Sequence, residues 1–369
     1  MESRKLSRNL NVLILAGLFT VLAVTGLSEA ARGRHKAWTD PVKAAKEDPD
    51  FLIQGEYGSA KPGAEYGVQV VALGNGEFDA YVHKGGLPGL GFTREKSKEQ
   101  LRGKRQCCQI HFEPFGTKNK PTVIKYKAYI CCGKFTLTCP DGKQVVLPRI
   151  ERKSPTLGAK PPKGAFVLFN GITADNWYNG KIKDGCLQAT GATSKQVFTD
   201  YSLHLEFRTP YMPTARGQGR GNSGVYHSGR WETQVLDSFG LEGRGNEAGG
   251  IYSISAPRLN MCLPPLAWQT YDVDFTAARF DANGKRIAWP RITVWLNGFV
   301  VHEDLELAKT FTTSAPVTGE LLNGEGPIYL QNHTNPVVYR NIWITTLKTG
   351  KCKPVSYGMG KVELAVKKK

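Results

Sequence analysis

Glu232, Gln234 and His333 are the residues whose types and spacing suggest chemistry. Residues 231–237 read WETQVLD. Successive side chains of a strand alternate, so Glu232, Gln234 and Leu236 share one face, while Trp231, Thr233, Val235 and Asp237 share the other. A carboxylate and an amide therefore point the same way. Just ahead, Gly221, Asn222, Ser223 and Gly224 form a turn, Val225–His227 extends, and Ser228-Gly229 turns again. The pattern is strand, tight turn, strand. Later, Tyr329, Gln331 and His333 alternate onto one face of the stretch 328–333. Glu232 or His333 could carry a proton as general acid or base, with Arg208 or Arg340 stabilising an anion or oxyanion. The same residues also fit a structural role, Glu232 in an ion pair and His333 as a hydrogen-bonded loop residue. Taken by themselves they favour that plainer role. Asp237 can close the turn at Ser238–Gly240. Glu232, Asp237 and His333 are chemically able to hold a divalent metal, but nothing in their spacing demands it. No G-x-S-x-G occurs, so a Ser-His-Asp triad lacks support.

These side chains need strands to position them, and the chain is rich in strand signals. Asn-Gly or Asp-Gly occurs at 75, 141, 170, 179, 184, 283, 297 and 323, separated by short apolar runs. Such spacing predicts an all-β fold, with an antiparallel sandwich over residues 165–348. In Ser202–Arg208, Leu203, Leu205 and Phe207 face one way and His204, Glu206 and Arg208 the other; Tyr271–Phe275 alternates similarly. Strands with one apolar face suit two packed sheets. Ile292–Leu296, Asn297-Gly298 and Phe299–Val301 form the clearest hairpin. The lack of long helix-period segments excludes Rossmann and TIM architectures. Residues 31–150 read as a small β-rich domain, with hairpins at Asn75-Gly76 and Asp141-Gly142, a short helix near Pro41–Glu47 and a helix expected over Thr93–Arg102. Residues 151–164 are a linker by their prolines and glycines, and 349–369 a basic tail.

The first thirty residues predict a signal peptide: Arg4, Lys5 and Arg8, an apolar run over Val12–Gly26 too short for a stable membrane span, then small residues around Ser28–Ala30. The expected location is periplasmic or extracellular. The formal charge is +17, with the basic residues scattered. For an exported chain this excludes nucleic acid as the expected partner and leaves an acidic envelope surface as one that the charge permits. Eight cysteines occur. The adjacent pairs Cys107-Cys108 and Cys131-Cys132 lie on expected strands and could bridge, whereas the absence of C-x-x-C disfavours zinc. His83 and His111 read as ordinary packed or surface histidines.

Several motifs, in order, resemble one family: Leu205–Arg208 (LEFR), Gly221–Tyr226 (GNSGVY), Trp231–Asp237, Trp268–Asp272 (WQTYD), Arg291–Gly298 (RITVWLNG), and Gly326–His333 (GPIYLQNH) leading to Asn335–Trp343. The second domain resembles the DUF1080 family, also called the 3-keto-disaccharide hydrolase domain. The β-rich segment and linker ahead of it look like an arrangement in exported planctomycete members. The resemblance implies a concanavalin-like (LamG-like) jelly roll that cleaves 3-keto-glycosides, by hydrolysis or by elimination and hydration. It implies Glu232 and His333 as the catalytic pair and Arg208, Asn222, Tyr226, Gln234, Gln331 and Arg340 as sugar-holding residues. An oligosaccharide or glycoside is then the substrate; the resemblance fixes no cofactor, and a divalent metal is compatible. The family often has Asp-His-Gly where this chain has Asn332-His333-Thr334, and Leu-Arg or Arg-Arg in place of His227-Ser228. Two other readings stay open: a non-catalytic carbohydrate-binding module and an envelope interaction protein of the same fold.

Overall fold

A computed structural model describes residues 35–116 and 125–347. The expected signal peptide, the basic tail with Cys352, and the cluster Lys118–Lys120 lie outside the described residues. Among those described, no helix is long and apolar enough to cross a membrane. The fold is all-β, as the turn spacing predicts.

The N-terminal structure is a closed barrel. Its strands are Gly55–Tyr57, Tyr66–Gly74, Glu77–Lys84, Lys98–Gln106, Gln109–Pro114, Lys127–Cys131, Lys134–Thr138 and Gln144–Ile150. Each pairs antiparallel with the next, and the last closes on the first. Alternate residues such as Val68, Val70, Phe78, Ala80, Leu101, Phe112, Ile130, Phe135 and Leu147 are buried, so the lumen is filled by side chains. Asn75 and Gly76 adopt φ 57° and 73°, the left-handed pair that a tight hairpin turn requires. The expected helix over Thr93–Arg102 does not form. Lys98–Gln106 is a strand paired with Glu77–Lys84, and Leu101 is fully buried. Its Glu, Gln, Leu and Arg residues are good helix formers, but barrel closure needs a strand here and overrides the local preference. The cysteine pairs are also displaced from their expected strands. Cys107-Cys108 is the turn joining two strands, and Cys132 begins the turn after Cys131, with Cys107 and Cys132 at φ 54° and 53°. All described cysteines are free thiols.

The sandwich follows. Its smaller sheet has the order Trp177–Tyr178, Ala192–Phe198, Gly326–Leu330, Ser223–His227, Trp231–Val235. The larger has the order Ile182–Lys183, Cys186–Gln188, Val338–Thr346, Tyr201–Arg208, Gln269–Thr276, Arg291–Leu296, Phe299–Glu306, with Phe166–Phe169 also on Val338–Thr346. This is a two-sheet, jelly-roll type of packing. Leu203, Leu205, Phe207, Val225, Trp231, Val235, Val273, Ile328 and Leu330 fill the space between the sheets. Alternation then leaves two outer faces, one carrying Tyr226, Glu232 and Gln234, the other His204, Glu206 and Arg208.

Barrel and sandwich touch through polar anchors as well as apolar ones. The Arg94 guanidinium donates to the carbonyls of Gly243, Pro257 and Arg258 at 2.7–2.8 Å. Val71, Tyr81 and Phe92 join the sandwich core. Residues 151–164 lie against the outer face of the larger sheet. Thr156 Oγ1 donates to Asp272 Oδ2 at 2.6 Å, the Gly158 N–H to Glu206 Oε1 at 2.6 Å, and the Ala159 carbonyl accepts from Asn341.

Candidate active site on the smaller sheet

Strand register assembles this site. Tyr226 lies opposite Glu232 on one side and opposite Tyr329 on the other, and Gly224 lies opposite Gln234. Because Ser223, Val225 and His227 face the core, Gly224 and Tyr226 face outward with Glu232 and Gln234. His227 is thereby assigned to packing: its ring bonds the Tyr201 hydroxyl and Thr233 at 2.9 Å each, and burial lowers its pKa to about 3.

Glu232 is 2% exposed. Burial pushes its carboxyl up to about 8, against the opposing effect of the Tyr226 hydroxyl 2.9 Å from Oε2. That hydroxyl is also 2.8 Å from the Thr313 carbonyl. One phenol proton serves two acceptors, so when Thr313 takes it, a protonated Glu232 can donate to the phenol oxygen. The Glu232 N–H donates to Thr312 Oγ1 at 3.0 Å, so one strap engages both Glu232 and Tyr226. Arg230 holds that strap by donating to the carbonyls of Thr310, Gly319 and Glu320.

Three amides complete the surroundings. Gln331 Nε2 donates to the Tyr226 oxygen at 3.1 Å. Gln234 Nε2 donates to Gln218 Oε1 at 3.0 Å, and Asn222 Nδ2 to the Gln218 carbonyl at 2.7 Å. Each nitrogen is thus committed. The oxygens Asn222 Oδ1, Gln234 Oε1 and Gln331 Oε1 are buried with no partner among the described residues. Buried acceptors left unpaired are costly, and a ligand rich in hydroxyl donors would satisfy them.

Gly224 makes room for the carboxyl. A Cβ there would stand 2.1 Å from Glu232 Oε1. Gly224→Ala is expected to displace the Glu232 side chain and cost at least about tenfold in any turnover that uses it. A crystal structure of the variant alongside its kinetics would check this, and an unmoved carboxyl would refute it.

The structure therefore connects Glu232, Tyr226 and Gln331 directly, and Gln234 and Asn222 through Gln218. His333 follows two residues after Gln331 and is partly exposed, with no hydrogen bond to any described residue. Arg208 and Arg340 are not brought to Glu232. Both lie on the outer face of the larger sheet against Trp268, their guanidinium carbons 4.8 and 3.9 Å from its ring centre. Asp237 pairs with buried Arg220 at 2.7 Å, and among the described residues no three His, Cys, Asp or Glu side chains are grouped to hold a metal. Gln218, Thr312 and Thr313 were not readable as site residues, since they come from loops without a repeating pattern.

Residues 164–345 match the family profile of the 3-keto-alpha-glucoside-1,2-lyase-like domain. Among solved structures, the chain is similar to a candidate glycosyl hydrolase from Parabacteroides distasonis ATCC 8503, with 32% identity over 50% of this chain and 85% of that one, TM-score 0.46. Two further candidate glycosyl hydrolases from that organism match 50% of this chain, at 18% identity, 95% of that chain and TM-score 0.37, and at 21%, 100% and 0.38. No curated protein matches the chain.

Proposed function

The chain belongs to the 3-keto-alpha-glucoside-1,2-lyase-like family, and from that premise we propose that its sandwich cleaves 3-keto-glycosides, with Glu232 as the proton carrier. Membership makes it a carbohydrate-active protein; the bond cleaved is the proposal. A ketone at C3 acidifies the hydrogen on C2. In the proposed reaction His333 takes that proton and the electron pair forms the enolate. The C1–O bond then breaks, and Glu232 gives its proton to the departing oxygen. Addition of water to the unsaturated product completes a net hydrolysis. The observation that carries this reading is a buried carboxyl held near 8 beside three unpaired amide oxygens. Such a group keeps its proton at neutral pH, as an acid for the leaving group must. The oxygens of Asn222, Gln234 and Gln331 would receive sugar hydroxyls. Because Glu232 is covered, the strap at Thr312–Thr313 gives way as the sugar enters.

Incubating the purified protein with a 3-keto-disaccharide and following release of monosaccharide and unsaturated keto-sugar tests the proposal; glycan binding without release would instead favour a binding module. The pH profile gives a second check. An acid with a folded pKa of about 8 sets the alkaline limb of the kcat profile, which falls as pH rises through that value. A rate climbing through pH 8 overturns the acid assignment. Export is part of the same proposal, tested by whether the N-terminus of the secreted protein begins near residue 31.

A further inference from the structure

The outer face of the larger sheet holds a second polar constellation, on the side of the sandwich away from Glu232. Arg208 and Arg340 converge on half-buried Trp268. Arg340 Nε donates to Glu206 Oε2 at 2.6 Å, and its two terminal nitrogens have no protein acceptor among the described residues. The Arg208 guanidinium has no hydrogen bond or ion pair among the described residues. It is only partly exposed, and Arg340 repels it. Asp40 and Asp184 act on it only through space, and the neighbouring Cys186 thiol is pushed up by burial and so uncharged. Glu206 also serves Gly158 and Asn341 and is used up by them. Two guanidinium groups therefore share one indole, only Arg340 has a carboxylate partner, and most of their N–H donors are unspent. Arg340 also lines an open groove of about 270 Å³, together with Gly158–Pro161, Glu206 and Asn341.

Planar guanidinium forks match oxyanions, and like charges held together are relieved by an anionic ligand. We propose that this face binds the carboxylate or sulfate of an acidic oligosaccharide, with Arg208 as the anchor and the groove beside Arg340 receiving the sugar chain. The groove is open rather than enclosed, which suits a polymer lying across it better than a small buried anion. The inference is independent of the chemistry assigned to Glu232, because it reads binding and not turnover.

The test is calorimetric titration of the full chain with oligogalacturonate, a sulfated oligogalactan and a neutral oligogalactan of equal length, at physiological salt. Expected is binding of one or both acidic probes and not the neutral one; the stronger acidic probe identifies carboxylate or sulfate. Arg208→Gln should weaken that binding by about tenfold or more, while the remote exposed Lys285→Gln, an equal change of charge, alters it less than about twofold. Arg208→Lys, which keeps the charge but not the fork, should recover only part of the loss. Absence of binding, equal binding of the neutral probe, or equal losses in Arg208→Gln and Lys285→Gln would each overturn the proposal. Binding of an acidic peptide as tightly as of the acidic glycans would overturn the assignment to sugar.

Discussion

Glu232→Gln is expected to lower kcat on a 3-keto-disaccharide by about 10²- to 10⁴-fold, the usual worth of a positioned acid or base, and to leave KM within a few-fold of wild type. The amide is isosteric with the protonated carboxyl. It keeps a group 2.9 Å from the Tyr226 hydroxyl but cannot surrender a proton to a leaving oxygen. Thermal unfolding distinguishes this loss from misfolding, because the variant should be no less stable than wild type. The folded pKa of Glu232 is raised to about 8 from 4.5. Its stabilising protonation is fully present below 4.5 and is lost as pH rises through 8, where a charge must be held in a dry site. The glutamine never ionises, so its advantage in melting temperature should grow between pH 5 and pH 9. His333→Ala should also lower kcat by about 10²-fold or more if it removes the C2 proton. Unchanged rates in both variants would sink the mechanism.

What was legible in the chain divides along a physical line. Alternation in Ser202–Arg208 correctly separates the core residues Leu203, Leu205 and Phe207 from His204, Glu206 and Arg208, because a strand's faces are a local property. The same rule puts Glu232 and Gln234 together, and the three-residue turn Ser228–Arg230 sets the register that adds Tyr226. Alternation does not say which sheet a strand joins. Arg208 and Arg340 were read with Glu232, yet the Arg208 strand pairs with Gln269–Thr276 and with the Arg340 strand in the larger sheet, so their outward faces point away from the site. Sheet membership depends on non-local pairing, and nothing within LEFR or YRN encodes it. Lys98–Gln106 failed for a related reason, since barrel closure outweighs the helix preference of its residues. Gln218 and the strap at Thr312–Thr313 reach the site through loops, where no period exists to be read.

Glu206→Gln is expected to destabilise the larger sheet strongly, by about 3–5 kcal/mol at pH 6, as for breaking other buried ionic clusters. Glu206 is 1% exposed and accepts from the Gly158 N–H, Asn341 and Arg340 at 2.6, 3.0 and 2.6 Å. Across the strands, His204 Nδ1 is 2.6 Å from Asp272 Oδ1, and its ring stacks on Trp343. The two hydrogens of the Asn341 amide are taken by Ala159 and Glu206, which leaves His204 free to hold both of its own. Burial disfavours charge on both residues, yet hydrogen bonds outweigh it: Glu206 falls to about 2 through His204, Asn341, Gly158 and Arg340, and His204 rises to about 9 through Asp272 and Glu206. The depressed carboxyl contributes stability above its unfolded value near 4.5 and loses it as pH drops toward 2. The raised imidazole contributes fully below 6.5 and loses its share as pH climbs through 9. The cluster is therefore strongest between about pH 4.5 and 6.5. Urea unfolding of wild type and Glu206→Gln across pH 2–10 should show their separation widest in that interval and narrowing on both sides. A separation independent of pH would mean that Glu206 acts by shape and not by charge. The same measurement bears on residues 151–164. Gly158 is tied to the sheet by Glu206, so releasing that bond should make proteolysis within 157–163 faster in the variant while leaving the barrel hairpins uncut.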